Sequence, residues 1–80
     1  MAKLRFPIEF EGKRIEEITL RRAKVKDLRS AGKVTDDNGE AEMICIANLA
    51  DLPVEAISEL DIWDYRILQD EFKAFFPKLK

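Results

Sequence analysis

The sequence predicts a small single domain of the α+β class, an N-terminal β-hairpin followed by three or four short helices. The first 22 residues alternate apolar and polar side chains around a glycine turn, which is the period of strands. From residue 23 onward the apolar residues recur at helical spacing, with Pro53 and Pro77 as punctuation. A chain of 80 residues has room for one domain. Residues 1–22 are read as its hairpin and residues 23–80 as its helical part.

The first strand is "KLRFPIEF". Leu4, Phe6, Ile8 and Phe10 point one way, and Lys3, Arg5, Pro7 and Glu9 the other. Pro7 cannot donate a ladder hydrogen bond, so the strand is expected at an edge. Gly12 can supply the positive φ of a tight turn. "RIEEITLRR" is the return strand. Ile18 and Leu20 share a face, and Ile15 is out of phase with them, so a bulge is expected near Glu16 and Glu17.

"KVKDLRSAGK" predicts a short helix with Val25, Leu28 and Ala31 or Gly32 on its core face, Gly32 weakening it or capping its end. "VTDDNGE" is a loop, in which Asp37 or Asn38 caps the next helix. "EAEMICIANLADL" is apolar around most of a helical circumference through Met43, Ile44, Ile46, Ala47, Leu49 and Ala50, so it is expected at the centre. "PVEAISEL" starts with Pro53, which suits a first helical turn, and offers Val54, Ile57 and Leu60. Asp61 is a natural N-cap, and Asp64 adds a favourable negative charge to the first turn of the last helix. That helix is expected to run to about Phe76, where Pro77 ends it.

At about 100° per residue, Ile62, Tyr65, Leu68, Phe72, Phe75 and Phe76 form one broad stripe, which Leu79 would continue. This is the expected core face. Trp63, Ile67 and Ala74 fall on the opposite side. One explanation is a helix sandwiched between the hairpin and the other helices. The other is a partner surface, because tryptophan is enriched at interface hot spots and an exposed apolar patch marks a binding site.

Charged residues make up 38% of the chain, which suits a surface rich in ion pairs. The net charge of -2 is unevenly spread. Residues 1–33 hold ten Lys/Arg and five Asp/Glu, and residues 34–80 hold four and eleven. One reading is mutual attraction of the two halves, within the fold or between copies. The other is nucleic-acid binding through the basic run of Arg21, Arg22, Lys24, Lys26 and Arg29. That run lacks interleaved aromatics for stacking on bases, and the pI is near 5.2, so nucleic acid is not the favoured partner.

The composition argues against an enzyme. The chain has no histidine, hence no imidazole base or histidine metal ligand. The single Cys45, inside the apolar run "MICIANLA", reads as a small buried hydrophobe, and a lone reduced cysteine suits the cytoplasm. Gly12, Gly32 and Gly39 are too scattered for a phosphate loop. The carboxylate pairs at 16–17 and 36–37 have no pocket around them. No catalytic residue, metal or cofactor is therefore expected. "MAKLRFP" does not resemble a signal peptide, and no apolar run approaches the roughly 20 residues of a membrane span, so the reading is cytosolic with no membrane partner.

The stretches "PIEFEGKRIEEITLR", "VKDLRSA" and "LADLPVEAISELDIWDY", with a closing amphipathic helix, resemble the tail assembly chaperones of long-tailed bacteriophages, the small protein E-like family of Mu-type phages. The resemblance spans nearly the whole chain. It implies a non-virion helper in the cytoplasm of an infected or lysogenic bacterial host. Such a helper binds the tape measure protein, a long and largely helical chain, and keeps it soluble until tail tube subunits polymerise around it. The resemblance also implies, for many members, a longer form made by ribosomal frameshifting near the end of the short reading frame. The Phe75 and Phe76 codons can form a slippery run for such a shift. No fixed functional motif comes with the family. From the residues themselves, Trp63, Ile67 and Ala74 are the expected partner-binding set, toward the tape measure protein or a second copy in a homo-oligomer. The alternative is a small nucleic-acid-binding or regulatory interaction module of phage or prophage origin.

Overall fold

A two-residue loop at Glu11 and Gly12 folds the N-terminus back on itself. Both residues have positive φ, 51° and 79°, the condition of the tight loop that matches the twist of an antiparallel pair. Gly12 adopts this conformation freely, whereas Glu11 does so against its Cβ. The computed structural model describes residues 2–77, so Leu79 lies outside the described residues. The strands are β1 (Ala2–Phe10) and β2 (Lys13–Ile18), followed by helices α1 (Val25–Val34), α2 (Asn38–Ala50), α3 (Val54–Ser58) and α4 (Ile62–Ala74). The expected hairpin and helices are all present, with four helices.

The hairpin pairs in two blocks. Phe10 faces Lys13, Glu9 faces Arg14 and Ile8 faces Ile15, whereas Lys3 faces Glu17 and Ala2 faces Ile18. Between the blocks β1 advances five residues while β2 advances two. The expected irregularity is therefore real, but its extra residues lie in β1, opposite Glu16. Pro7 falls in this interruption, where no ladder donor is required. Ile15 packs against the core, as a bulge allows, together with Ile8. The clean alternation expected for β1 is broken: Leu4 is buried, but Phe6 is exposed.

The interruption frees backbone donors. The Arg5 and Phe6 N–H groups both donate to the Asp64 carboxylate, at 2.8 and 3.0 Å, one to each oxygen. Asp64 is only 2% exposed. It therefore does more than favour the helix terminus, the role its position suggested. It ties the first strand to the last helix.

This tie sets the rotation of α4. The buried line is Asp64, Leu68 and Phe72, spaced four residues apart, with Tyr65 and Phe75 beside it. Ile62 lies about 200° around the helix from Asp64. It is 85% exposed rather than part of the core stripe, and Phe76 is also exposed. The helix starts on Asp61, whose side chain accepts from the Trp63 N–H at 2.9 Å.

The other helices obey their local signals, with one exception. Asp37 caps α2 by accepting from the Glu40 N–H, and Asp51 ends it in a left-handed conformation with φ of 58°. Cys45, Ile46, Ala47 and Leu49 of α2 are buried, as expected of the central element. Pro53 caps α3, where Ala56 and Ile57 are buried. The exception is α1. Its buried residues are Asp27 and Ala31, while Val25 and Leu28 are exposed. The face that packs on α2 is the one that carries Asp27, and Gly32 sits inside the helix rather than capping it.

Asp64→Asn keeps the shape of the side chain but leaves one acceptor for two donors. It should lower stability by about 1–3 kcal/mol in denaturant titration, with faster hydrogen exchange at the Arg5 and Phe6 amides. Glu11→Asn relieves a positive-φ position and creates the Asn-Gly loop pair favoured in such hairpins. It should raise the unfolding midpoint by an amount corresponding to about 0.5–1 kcal/mol.

Candidate functional site

The first turns of α4 present apolar side chains to solvent. Ile62, Trp63 and Ile67 are 85%, 53% and 39% exposed. With Asp61 and Arg66 they line an open groove of about 470 Å³. Arg5 of β1 extends the patch: its guanidinium lies 4.8 Å from the centre of the Trp63 ring and 5.8 Å from that of the exposed Phe6. A cation over an aromatic face is attracted by the ring quadrupole, so Arg5 holds Trp63 in place from one side. The sandwich explanation for this face fails, because hairpin and helices leave it open.

Ala74 is exposed on the same side of α4. It lies about 16 Å along the axis from Trp63, and the Arg66–Asp70 ion pair at 3.6 Å occupies the helix surface between Ile67 and Ala74. Trp63 and Ile67 are thus brought together, and Ala74 stands apart from them. Ile62 and Phe6 complete the patch, although helical periodicity places Ile62 in the core stripe and strand alternation places Phe6 on the side of the buried Leu4. The signal for Ile62 was an acidic residue in register with Leu68 and Phe72, which turns the buried face away from it. No signal in β1 marks Phe6.

A second groove, of about 440 Å³, runs between α1, α2 and α4, with Leu28, Phe72 and Phe76 among its walls. Phe72 and Phe76 meet edge to face, with ring centres 5.3 Å apart. Among the described residues no group of three His, Cys, Asp or Glu side chains could hold a metal ion. No helix among them is long and apolar enough to cross a membrane.

The family model described as "Phage tail assembly chaperone proteins, E, or 41 or 14" matches residues 2–77. The chain belongs to this family. The resemblance carried by the hairpin and by the "LADLPVEAISELDIWDY" region is thereby borne out. Neither the curated proteins nor the solved structures yield a match.

In this tail assembly chaperone the basic run is partly engaged by the fold itself. Arg21 grips Asp27 with two hydrogen bonds of 2.7 and 3.0 Å, and the Arg22 guanidinium lies 5.7 Å from the centre of the Phe75 ring. Asp27 also accepts from the Lys24 N–H at 2.9 Å, which closes the first turn of α1. The hydrogen bonds from Arg21 bring the Asp27 carboxyl down to about 2, with the Lys24 N–H and the charges of Arg21 and Lys26 assisting against burial. The same contact raises Arg21 above its ordinary value. Each of the three ion pairs among the described residues joins near neighbours, so none links the basic part to the acidic part. Cys45 is 2% exposed and donates its thiol to the Asp27 carbonyl at 3.4 Å. Burial, and then the nearby Asp27 and Glu42 charges, push that thiol up.

A carboxylate held below its ordinary pKa contributes stability above the unfolded value and loses it as the pH falls through the folded one. The unfolded value is about 3.9, and Asp27 reaches about 2 in the fold. The Asp27 contribution should thus fade between about pH 4 and pH 2. Thermal unfolding across that range should show a shallower pH dependence for Asp27→Asn than for the unaltered chain.

Proposed function

We propose that the Ile62–Trp63–Ile67 surface of this tail assembly chaperone receives a helical segment of the tape measure protein and keeps that protein soluble during tail assembly. The observation that carries the proposal is the exposure of Ile62, Trp63 and Ile67 together on the first two turns of α4, while the opposite face of the same helix is buried. An amphipathic client helix laid along α4 would seat its apolar side chains on Trp63 and Ile67 and pass over Ala74, where a small side chain allows close approach. Asp61, Arg66 and Asp70 border the surface, and Arg5 covers one side of the indole. A charged rim of this kind limits self-aggregation while the apolar centre stays available.

The role needs no catalysis. The chain acts by binding, without metal or cofactor, in the cytoplasm of the bacterial host and outside the finished virion. The nucleic-acid reading draws weaker support, because Arg21 and Arg22 are already committed to Asp27 and Phe75.

Trp63→Ala combined with Ile67→Ala should leave the circular dichroism spectrum intact, since both residues are exposed. In co-expression with the tape measure protein, it should reduce the soluble client recovered with a tagged copy of this chain. Loss of a tryptophan hot spot corresponds to roughly 30-fold weaker binding. Undiminished recovery of soluble client with the double variant would refute the assignment of this surface.

A further inference from the structure

The outer edge of β2 has a charge pattern that complements itself. The strand reads "KRIEEI", with Lys13 and Arg14 before Ile15 and Glu16 and Glu17 after it. Edge strands carry charges to discourage pairing, and a run of one sign would repel a second copy. Here the signs are opposite on the two sides of Ile15. Laying a second β2 antiparallel about a twofold axis through Ile15 places Lys13 opposite Glu17 and Arg14 opposite Glu16, with Ile15 opposite Ile15.

The backbone is in phase with this pairing. The two-residue loop closes on the Phe10 and Lys13 pair, and Ile8 faces Ile15. Hydrogen-bonded and non-bonded pairs alternate along an antiparallel ladder, so Lys13 and Ile15 turn their N–H and C=O toward β1. Arg14 and Glu16 turn theirs outward. These are the residues that the twofold arrangement sets against each other. Among the described residues, the Arg14 and Glu16 backbone groups have no hydrogen bond to any helix or loop. An open groove of about 510 Å³ runs along this edge, walled on its far side by Ala50 and Leu52. The edge of β1, by contrast, is already occupied where Asp64 takes the Arg5 and Phe6 donors.

We infer that two copies of this chain associate through β2, in the register Arg14 opposite Glu16, to form a continuous four-stranded antiparallel sheet. A two-stranded sheet gains from further strands, and opposite charges directly across a ladder favour the pairing. The inference concerns a different surface from the α4 patch and holds whether or not that patch binds the tape measure protein.

Sedimentation equilibrium of the full chain over a wide concentration range tests it. The unaltered chain should reach a dimer. Lys13→Glu with Arg14→Glu should weaken association by about tenfold or more, and so should Glu16→Lys with Glu17→Lys. An equimolar mixture of these two variants should recover the dimer, because opposite signs again face each other. Arg14 already donates to Glu16 of its own strand at 2.6 Å, so the dimer pairing exchanges that contact within the strand for one between strands. Arg14 also faces Glu9, and Glu17 faces Lys3, within the hairpin, so either variant could perturb its own fold. Ile15→Cys provides a register test that leaves the charges alone. Across a non-bonded pair the Cα atoms are about 4.5 Å apart, within disulfide reach. Mild oxidation should yield a covalent dimer of Ile15→Cys and none of the unaltered chain, whose Cys45 is buried. A chain that stays monomeric throughout, with no crosslink at position 15, overturns the inference and leaves the edge to a strand from another protein.

Discussion

The two hydrogen bonds into the Asp64 carboxylate set the arrangement of the rest of the molecule. Three extra residues in β1 interrupt the ladder and leave two backbone donors without strand partners. A buried N–H with no acceptor is expensive, and a carboxylate offers one oxygen to each donor. Asp64 is placed to accept both because it stands in the first turn of α4, and accepting them fixes how α4 is rotated. Leu68 and Phe72 then accompany it into the core at intervals of four. Ile62, Trp63 and Ile67 are left outside by the same rotation. The exposed patch is thus a geometric result of satisfying two peptide groups at the other end of the chain. Asp27 repeats the device on a smaller scale, closing the start of α1 and fastening Arg21 to it.

Much of this fold was legible in the sequence, and the parts that were not have a common cause. Local signals served well: Gly12 in the turn, Asp37 and Asp61 as caps, Pro53 at the start of α3 and the apolar length of α2. Each depends on residues within a turn or two of one another. The failures came where an acidic side chain took a place in the core. Hydrophobic periodicity ranks apolar residues inward, so it assigned Val25, Leu28 and Ile62 to the buried faces of α1 and α4. The structure buries Asp27 and Asp64 instead. The partners of Asp64 are peptide groups 58 and 59 positions away, and a peptide group leaves no mark in the sequence. The candidate site shares this history. Trp63 and Ile67 were visible as an apolar pair out of phase with the core, whereas Ile62 and Phe6 join them only once Asp64 has turned the helix and broken the alternation of β1.

The chain belongs to a tail assembly chaperone family, and the role proposed for it calls for apolar surface that can be displayed without self-aggregation. Here the display is small and rigidly mounted. The Asp61 cap holds the first turn of α4, Arg5 lies on the indole, and charged residues alternate with the apolar ones along the helix. The self-complementary edge of β2 lies elsewhere on the molecule, so pairing of two hairpins and occupation of α4 use different faces.

The long reach of Asp64 also bears on the order in which the molecule is made. Synthesis delivers β1 well before α4, and the amides of Arg5 and Phe6 have no fixed acceptor until residue 64 has left the ribosome. The nascent hairpin is therefore provisional. Its distal block, near the loop, can pair at once through contacts close in sequence, while the block at Ala2 and Lys3 stays loose until the last helix docks. Closing a loop of this length carries more entropy cost than the local contacts of the hairpin turn, although that cost grows slowly with length. Docking of α4 thus follows the local pairing near the loop in the order of synthesis, and it is the same step that fixes Trp63 and Ile67 on the surface. Apolar display and completion of the fold coincide, so an unfinished chain does not offer the formed surface.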